Sequence, residues 1–272
     1  MNEPDHEAIS KRQAFKIRSE SIDNTLRTEK SSDAKKNILL RSAPFHKFVL
    51  TGGPCGGKTT ALARLSSYLR ERGFETFTVP EAFTILASNG FSMNYFSVEG
   101  MGLCVQDTVM DMQMSLEDSF ERVLRAKGRP AVLLCDRGLM DGSAYMPSDE
   151  WDSFMAQRGI DSADIREGRY NAVFHLVTAA EGAERFYSLD NNEARTETAE
   201  EARTLDHMSR AAWLGHPKHF VIDNKTDFEG KMNKLVSIAS RLVGLPSTSK
   251  SVTVKYLLKS QPDLSCFPED VK

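Results

Sequence analysis

Eight consecutive residues, Gly52-Gly53-Pro54-Cys55-Gly56-Gly57-Lys58-Thr59, match G-x-x-x-x-G-K-[ST] at every fixed position. These residue types suit the holding of a triphosphate. Glycines let successive backbone N–H groups turn inward on anionic oxygens. A helix opening at Lys58 would add the partial positive charge of its N-terminus. Lys58 would reach the β and γ phosphates, the Thr59 hydroxyl would bind magnesium, and Thr60 lies beside them in the first turn. A bare glycine-rich turn is the competing reading. The flanks argue against it, because the apolar run FVLTGG precedes the motif and an amphipathic segment follows.

Charged residues at other strand ends would complete a phosphoryl-transfer site. Ligands of open α/β sheets bind at the carboxyl ends of strands. Asp136 stands directly after the apolar AVLLC and is the natural acidic partner of Thr59 on magnesium. Capping of the next helix is its alternative role. Arg137 follows at once. This Asp-Arg pair departs from the D-x-x-G of switch GTPases and is like the D-R of small-molecule kinases, whose arginine contacts the acceptor or the transferred phosphoryl group. Glu81, in V-P-E-A, would orient a hydroxyl acceptor or take its proton. Its plainer role is to complement a helix N-terminus.

Residues 181–206 are polar and rich in Arg, Asn and Glu, in the position of a mobile lid of nucleotide kinases. Arg195 and Arg203 would close on the phosphates and exclude water, with Arg185 a third choice. A solvated helix with surface ion pairs is the alternative. Further on, Asn224-Lys225-Thr226-Asp227 matches N-K-x-D, the pattern with which switch GTPases read guanine. Asn224 and Asp227 would then hold the base, or Asp227 would only cap the next helix. The implied cofactors are Mg2+ and either GTP or ATP.

The elements that must position these residues are legible as alternating patterns. FVLTGG, ETFTVPE (75–81), AVLLCD (131–136), residues 171–177 and residues 219–223 read as five strands. Between them, Thr59–Arg72, the short AFTILASNG, Val105–Ala126, a segment with Arg203, Leu205, Met208 and Trp213, and Met232–Val243 read as helices. Strands alternating with helices predict an α/β protein in three layers, a parallel five-stranded sheet with helices on both faces. Three segments follow: a polar, disordered arm at 1–45, a nucleotide-binding domain at 46–244, and a linker and tail at 245–272.

Composition sets outer limits. Of 272 residues, 40% are apolar and 27% charged, which allows an ordinary core. A net charge of −3 argues against a general nucleic-acid binder. Cys55, Cys104, Cys135 and Cys266 form no C-x-x-C pair, so neither a disulfide framework nor a zinc site is indicated, and reduced thiols fit the cytoplasm. No window approaches the roughly 20 apolar residues of a transmembrane segment. Membrane contact would be peripheral, through Lys11, Arg12, Lys16 and Arg18 or Lys35, Lys36 and Arg41 on anionic phospholipid; a solvated tail is the alternative.

Taken together, TGGPCGGKTT, VPEAFTILASNG, CDRGLMDGSAYM, HLVTAAEGAERFYSLDNNEARTE and AAWLGHPKHFVIDN resemble the NadR/Ttd-type P-loop family over residues 47 to about 243. That family includes the ribosylnicotinamide kinase domain of bacterial NAD-regulating enzymes and the eukaryotic TRPL translocation defect proteins. The match is closer to the eukaryotic branch. The resemblance implies a P-loop NTPase fold of nucleotide-kinase type. From the eukaryotic branch it implies GTP binding, phosphoinositide or phosphatidic-acid binding, and membrane-protein trafficking. It also implies a following CYTH-like domain, of which VTVKYLLKS would be the first strand. Two functions are therefore expected: an enzyme passing a γ-phosphoryl group to a small hydroxyl acceptor or to water, or a GTP- and lipid-binding adaptor with little turnover.

Overall fold

The computed structural model describes residues 43–187 and 198–246. Five parallel strands form one sheet: β1 (Phe45–Thr51), β2 (Glu75–Val79), β3 (Ala131–Asp136), β4 (Ala172–Leu176) and β5 (His219–Ile222). Their spatial order is β2-β3-β1-β4-β5. Phe45 of β1 pairs in register with Ala131 of β3, and Phe48 with Ala172 of β4. The sheet is as expected, three layers with helices on both faces.

Strand alternation sorts the core. Phe48, Leu50, Val132, Leu134, Phe174 and Leu176 face α1 (Lys58–Arg70) and, at the far end of the chain order, α6 (Phe228–Leu242). Between these lie α2 (Ala82–Ser88), α3 (Met101–Ala126), α4 (Ser148–Gln157) and α5 (Ala199–Ala211). Val49, Leu133, Cys135 and Val173 point the other way, into a second core with Met110 and Leu124 of α3, Trp151 and Phe154 of α4, and Trp213. The central strands β3 and β4 are buried on both sides and therefore read as unbroken apolar runs.

Several boundaries differ from the sequence reading. Strand β1 begins at Phe45, three residues before the apolar run, because its first residues pair with β3. Helix α3 begins at Met101, where Gly100 at φ 77° caps it. Helix α6 starts at Phe228 because Asp227 caps it there. Trp213 lies beyond the end of α5 and is fully buried. The 3-10 turn Leu139–Tyr145 and helix α4 were unread: the turn's buried side chains sit at irregular spacing, and α4 is only ten residues long.

Parallel strands place all their carboxyl ends on one edge of the sheet. From β1 the chain passes to the edge strand β2, returns to β3 beside β1, and then crosses β1 to β4 and β5 on the other side. The crevice at the end of β1 is thus where the order reverses, the usual ligand position in such sheets. Arg195, most of the N-terminal arm, the basic clusters and VTVKYLLKS lie outside the described residues.

Candidate functional site

The loop Gly52–Gly57 leaves β1 at this crevice and opens α1. Gly52 has φ 129°, and a Cβ on it would stand 2.1 Å from the Leu176 carbonyl oxygen, so only glycine fits. Gly57, at φ 89°, takes the N-cap position of α1, and Cys55 also has positive φ, 55°. The first turn of α1 leaves the amides of Lys58, Thr59 and Thr60 without intrahelical acceptors.

The loop's carbonyl groups each meet a donor. Lys58 Nζ donates to the carbonyls of Gly52 (2.8 Å) and Gly53 (2.9 Å). The Thr178 hydroxyl donates to Pro54 O at 2.5 Å, and the Ala179 amide to Cys55 O at 3.4 Å. Lys231 Nζ donates to Gly56 O at 3.0 Å, and the Ala61 amide to Gly57 O at 2.9 Å. In a planar trans peptide the next N–H points opposite to the carbonyl. The donors behind the Pro54, Cys55 and Gly56 carbonyls therefore turn the amides of Cys55, Gly56 and Gly57 toward the concave side, where an anion is held, whereas Pro54 has no N–H and the Gly53 amide turns to Asp206.

Asp206 of α5 anchors the loop's start. Its Oδ1 accepts from the amides of Gly53 (2.8 Å) and Thr178 (2.9 Å), and its Oδ2 meets His175 Nε2 at 2.9 Å. Burial works against its charge, but His175 and the two amides still hold its carboxyl below the usual range. Asp206, Thr178 and Lys231 were not singled out in the sequence. They lie on three distant elements, and nothing in their local spacing marks them.

A second set of charges stands at the ends of β2 and β3. Asp136 Oδ1 is buried with no hydrogen-bond partner among the described residues. Burial raises its carboxyl to about 6, and the Lys58 ammonium only partly offsets this. Burial likewise lowers Lys58 to about 8, with Arg137 adding to the effect. Asp136 and Thr59 line one groove of about 620 Å³.

Arg137 has φ 66°, outside the usual region for a side-chain-bearing residue. Its Nε donates to Glu81 Oε1 at 2.5 Å, and its Nη1 lies 3.8 Å from Asp141 Oδ1. Glu81 also accepts from the Thr84 hydroxyl at 2.7 Å. Burial opposes the charge of Glu81, yet Arg137 and Thr84 hold its carboxyl below the usual range. The buried Asp141 takes the Thr51 hydroxyl and the Gly138 amide (2.7 Å), which joins the ends of β1 and β3. Behind the turn, Gln113 Nε2 donates to Arg137 O at 3.4 Å and to Glu117 Oε1 at 3.0 Å. Glu117, 0% exposed, also accepts from Tyr170 Oη and Arg169 Nε. A buried polar frame thus holds the unusual backbone at Arg137.

On the other flank of the loop is a cleft of about 620 Å³. Cys55, Gly56, Ala179, Asn224 and Asp227 form part of its wall, and Phe186 and Phe228 stand exposed at it. Asp227 Oδ1 accepts the Gly230 amide at 2.7 Å and caps α6. Asn224 Nδ2 donates to the carbonyls of Thr178 and Glu181, and its Oδ1 accepts from Lys231. Asn224 and Asp227 of the N-K-x-D segment therefore stand at the wall of this cleft and are bonded to neighbouring groups of the protein. Arg203 Nη1 donates to Ala180 O at 3.0 Å, and the Arg185 guanidinium lies 4.6 Å from the Phe186 ring centre.

The donors fit magnesium. Asp136 brings an unpartnered buried oxygen to the groove that Thr59 shares. No group of three or more His, Cys, Asp or Glu residues poised for a metal occurs among the described residues. Magnesium bound through one carboxylate, a hydroxyl and phosphate oxygens needs no such cage. Cys55, Cys104 and Cys135 are unbridged, and no helix among the described residues is long and apolar enough to cross a membrane.

Among known protein families, the one described as an AAA domain matches residues 47–231, more than half of the chain. No curated protein matches it.

Proposed function

Because the chain belongs to the AAA domain family, of the P-loop nucleotide-binding type, we propose that it transfers the γ-phosphoryl group of Mg-GTP or Mg-ATP to a small hydroxyl acceptor. The observation that supports this reading is the separation of two charge groups around one loop. The cleft at Phe186 and Phe228 suits a base. On the opposite flank, beside Asp136, Glu81 and Arg137 form an ion pair for which nucleotide binding alone has no use. The likeness of the Asp136-Arg137 pair to the D-R of small-molecule kinases points the same way.

In this reading the loop amides and Lys58 position the phosphates, and Thr59 and Asp136 would hold Mg2+. The bound ion would neutralise charge on the β and γ phosphates. Arg137 faces the phosphoryl group in flight, with Arg195 and Arg203 closing over it. The acceptor oxygen bonds to the γ-phosphorus as the bond to the β-phosphate oxygen breaks. Glu81, held ionised by Arg137, is a weak base, so it orients the hydroxyl, whose proton leaves on the transferred phosphate.

The direct experiment is incubation of the full chain with Mg-GTP or Mg-ATP and a metabolite extract. A phosphorylated metabolite supports the kinase. Tight binding with no product, together with capture on vesicles of phosphatidic acid or phosphoinositide, would favour the adaptor reading instead. Glu81→Gln is expected to leave nucleotide affinity within twofold and to lower transfer by about tenfold or more. Full transfer by that variant removes Glu81 from the mechanism.

For the base, we propose stacking in the cleft with little guanine selection, since Asp227 serves α6 and Asn224 serves its neighbours. GTP and ATP should then bind within about fivefold of each other, whereas a site built on base hydrogen bonds discriminates far more strongly. Asp227→Ala should cost about 1 kcal/mol of stability as a lost helix cap, read by denaturant unfolding. A selective loss of GTP affinity in that variant would restore guanine recognition by Asp227.

A further inference from the structure

We propose that Lys231, acting with Asn224, is a positioning unit that sets the Gly56–Gly57 peptide for phosphate binding and ties it to the cleft for the base. The proposal rests on the phosphate-loop reading above. Lys231 is 3% exposed on α6. Its ammonium donates to Gly56 O at 3.0 Å, Val177 O at 2.7 Å and Asn224 Oδ1 at 2.8 Å. An ammonium has three donors and no acceptor. All three are used, so none remains for a phosphate, and the residue acts through the backbone it holds.

The held backbone matters. With the Gly56 carbonyl drawn to Lys231, the Gly57 amide of the same planar unit points the opposite way. The peptide has little freedom to turn over. A Cβ on Gly56 would stand 2.6 Å from Leu176 O, and one on Gly57 would stand 2.9 Å from the Phe228 ring. The third contact leads elsewhere. Asn224 Nδ2 donates to Thr178 O at 2.8 Å and Glu181 O at 2.7 Å. A single amide side chain thus bridges Lys231 to the segment that walls the base cleft. Movement of that wall on arrival of a nucleoside reaches the Gly56 peptide through two side chains. Burial lowers the Lys231 ammonium to about 8, with Asp206 and Asp223 opposing the fall, which fits a charge kept only by its surrounding oxygens.

The test uses the full chain, with calorimetry against magnesium tripolyphosphate and against Mg-GTP and Mg-ATP. Lys231→Met is expected to lose at least tenfold in affinity for all three. Asn224→Ala keeps the two backbone contacts of Lys231. It should therefore bind tripolyphosphate within twofold of the wild type and lose at least fivefold for the nucleotides. Amide hydrogen exchange without ligand gives an independent readout. Lys231→Met should speed exchange in both 52–60 and 178–182, and Asn224→Ala in 178–182 alone. Unchanged affinity and exchange in Lys231→Met, or equal losses for tripolyphosphate and nucleotides in Asn224→Ala, would overturn the proposal. If the wild type binds neither ligand class, the phosphate-loop reading fails, and the exchange pattern alone decides whether Lys231 orders the loop. If Lys231→Met does not fold, Asn224→Ala decides the coupling by the same two readouts.

Discussion

Asp136→Asn is expected to weaken magnesium-dependent nucleotide binding by about tenfold or more while raising the thermal stability of the metal-free protein. Both effects come from one buried carboxylate. Its Oδ1 lacks a hydrogen-bond partner among the described residues, and burial lifts its pKa from 3.8 to about 6. Between those values the native state holds a proton that the unfolded chain has released. Stability therefore falls as pH rises through this window, and the penalty is fully present above about pH 6. A shift of about two units corresponds to roughly 3 kcal/mol. The asparagine amide remains buried with an unmet group, which takes back about 1 kcal/mol or more. A net gain of about 1–2 kcal/mol at pH 7 should raise Tm by roughly 2–6 °C. The gain should vanish below about pH 3, where both states are protonated. Binding should fall more with Mg2+ than with EDTA, because the carboxylate acts through the ion. Equal losses in the two conditions, with Tm unchanged, would make Asp136 a structural residue.

Lys58→Ala should lower triphosphate affinity by roughly 10- to 100-fold, the effect of a charge-assisted contact of about 1.5–3 kcal/mol. The fold should persist, since the hydrogen bonds of Lys58 among the described residues go to carbonyls of its own loop. Calorimetry with GTP and ATP reads the loss, and circular dichroism reads the fold. Unchanged affinity for both would sink the phosphate-loop assignment. The wild type should also show a pH signature. Lys58 and Lys231 each sit near 8 without ligand. Bound phosphate favours their charged forms, so binding takes up protons near pH 8. Affinity should decline as pH rises from 7 to 9, and the decline should be smaller in Lys58→Ala.

The phosphate loop was legible because its chemistry is local. Gly52 and Gly57 are required by the positive φ that each adopts, and Lys58 and Thr59 follow at fixed offsets on the first turn of a helix. The sheet was legible for a related reason. AVLLCD and AVFHL are buried on both faces and carry that burial as continuous apolar runs. That Asp136, Arg137 and Glu81 lie near one another could be read because a strand end is a position in sequence as well as in space.

What the sequence left open are contacts between elements. Nothing local shows that Asp206 reaches Gly53 across 153 positions, or that Lys231 reaches Gly56 across 175. Asp141 carries no sign that it joins the ends of β1 and β3. In the N-K-x-D segment, residue types matched a guanine reader, while the tertiary structure committed Asp227 to a helix cap and Asn224 to the loops beside it. Motif residues are set by backbone geometry that neighbours in the chain impose. Their orientation toward solvent, ligand or a second loop depends on which side chains the folded sheet brings behind them.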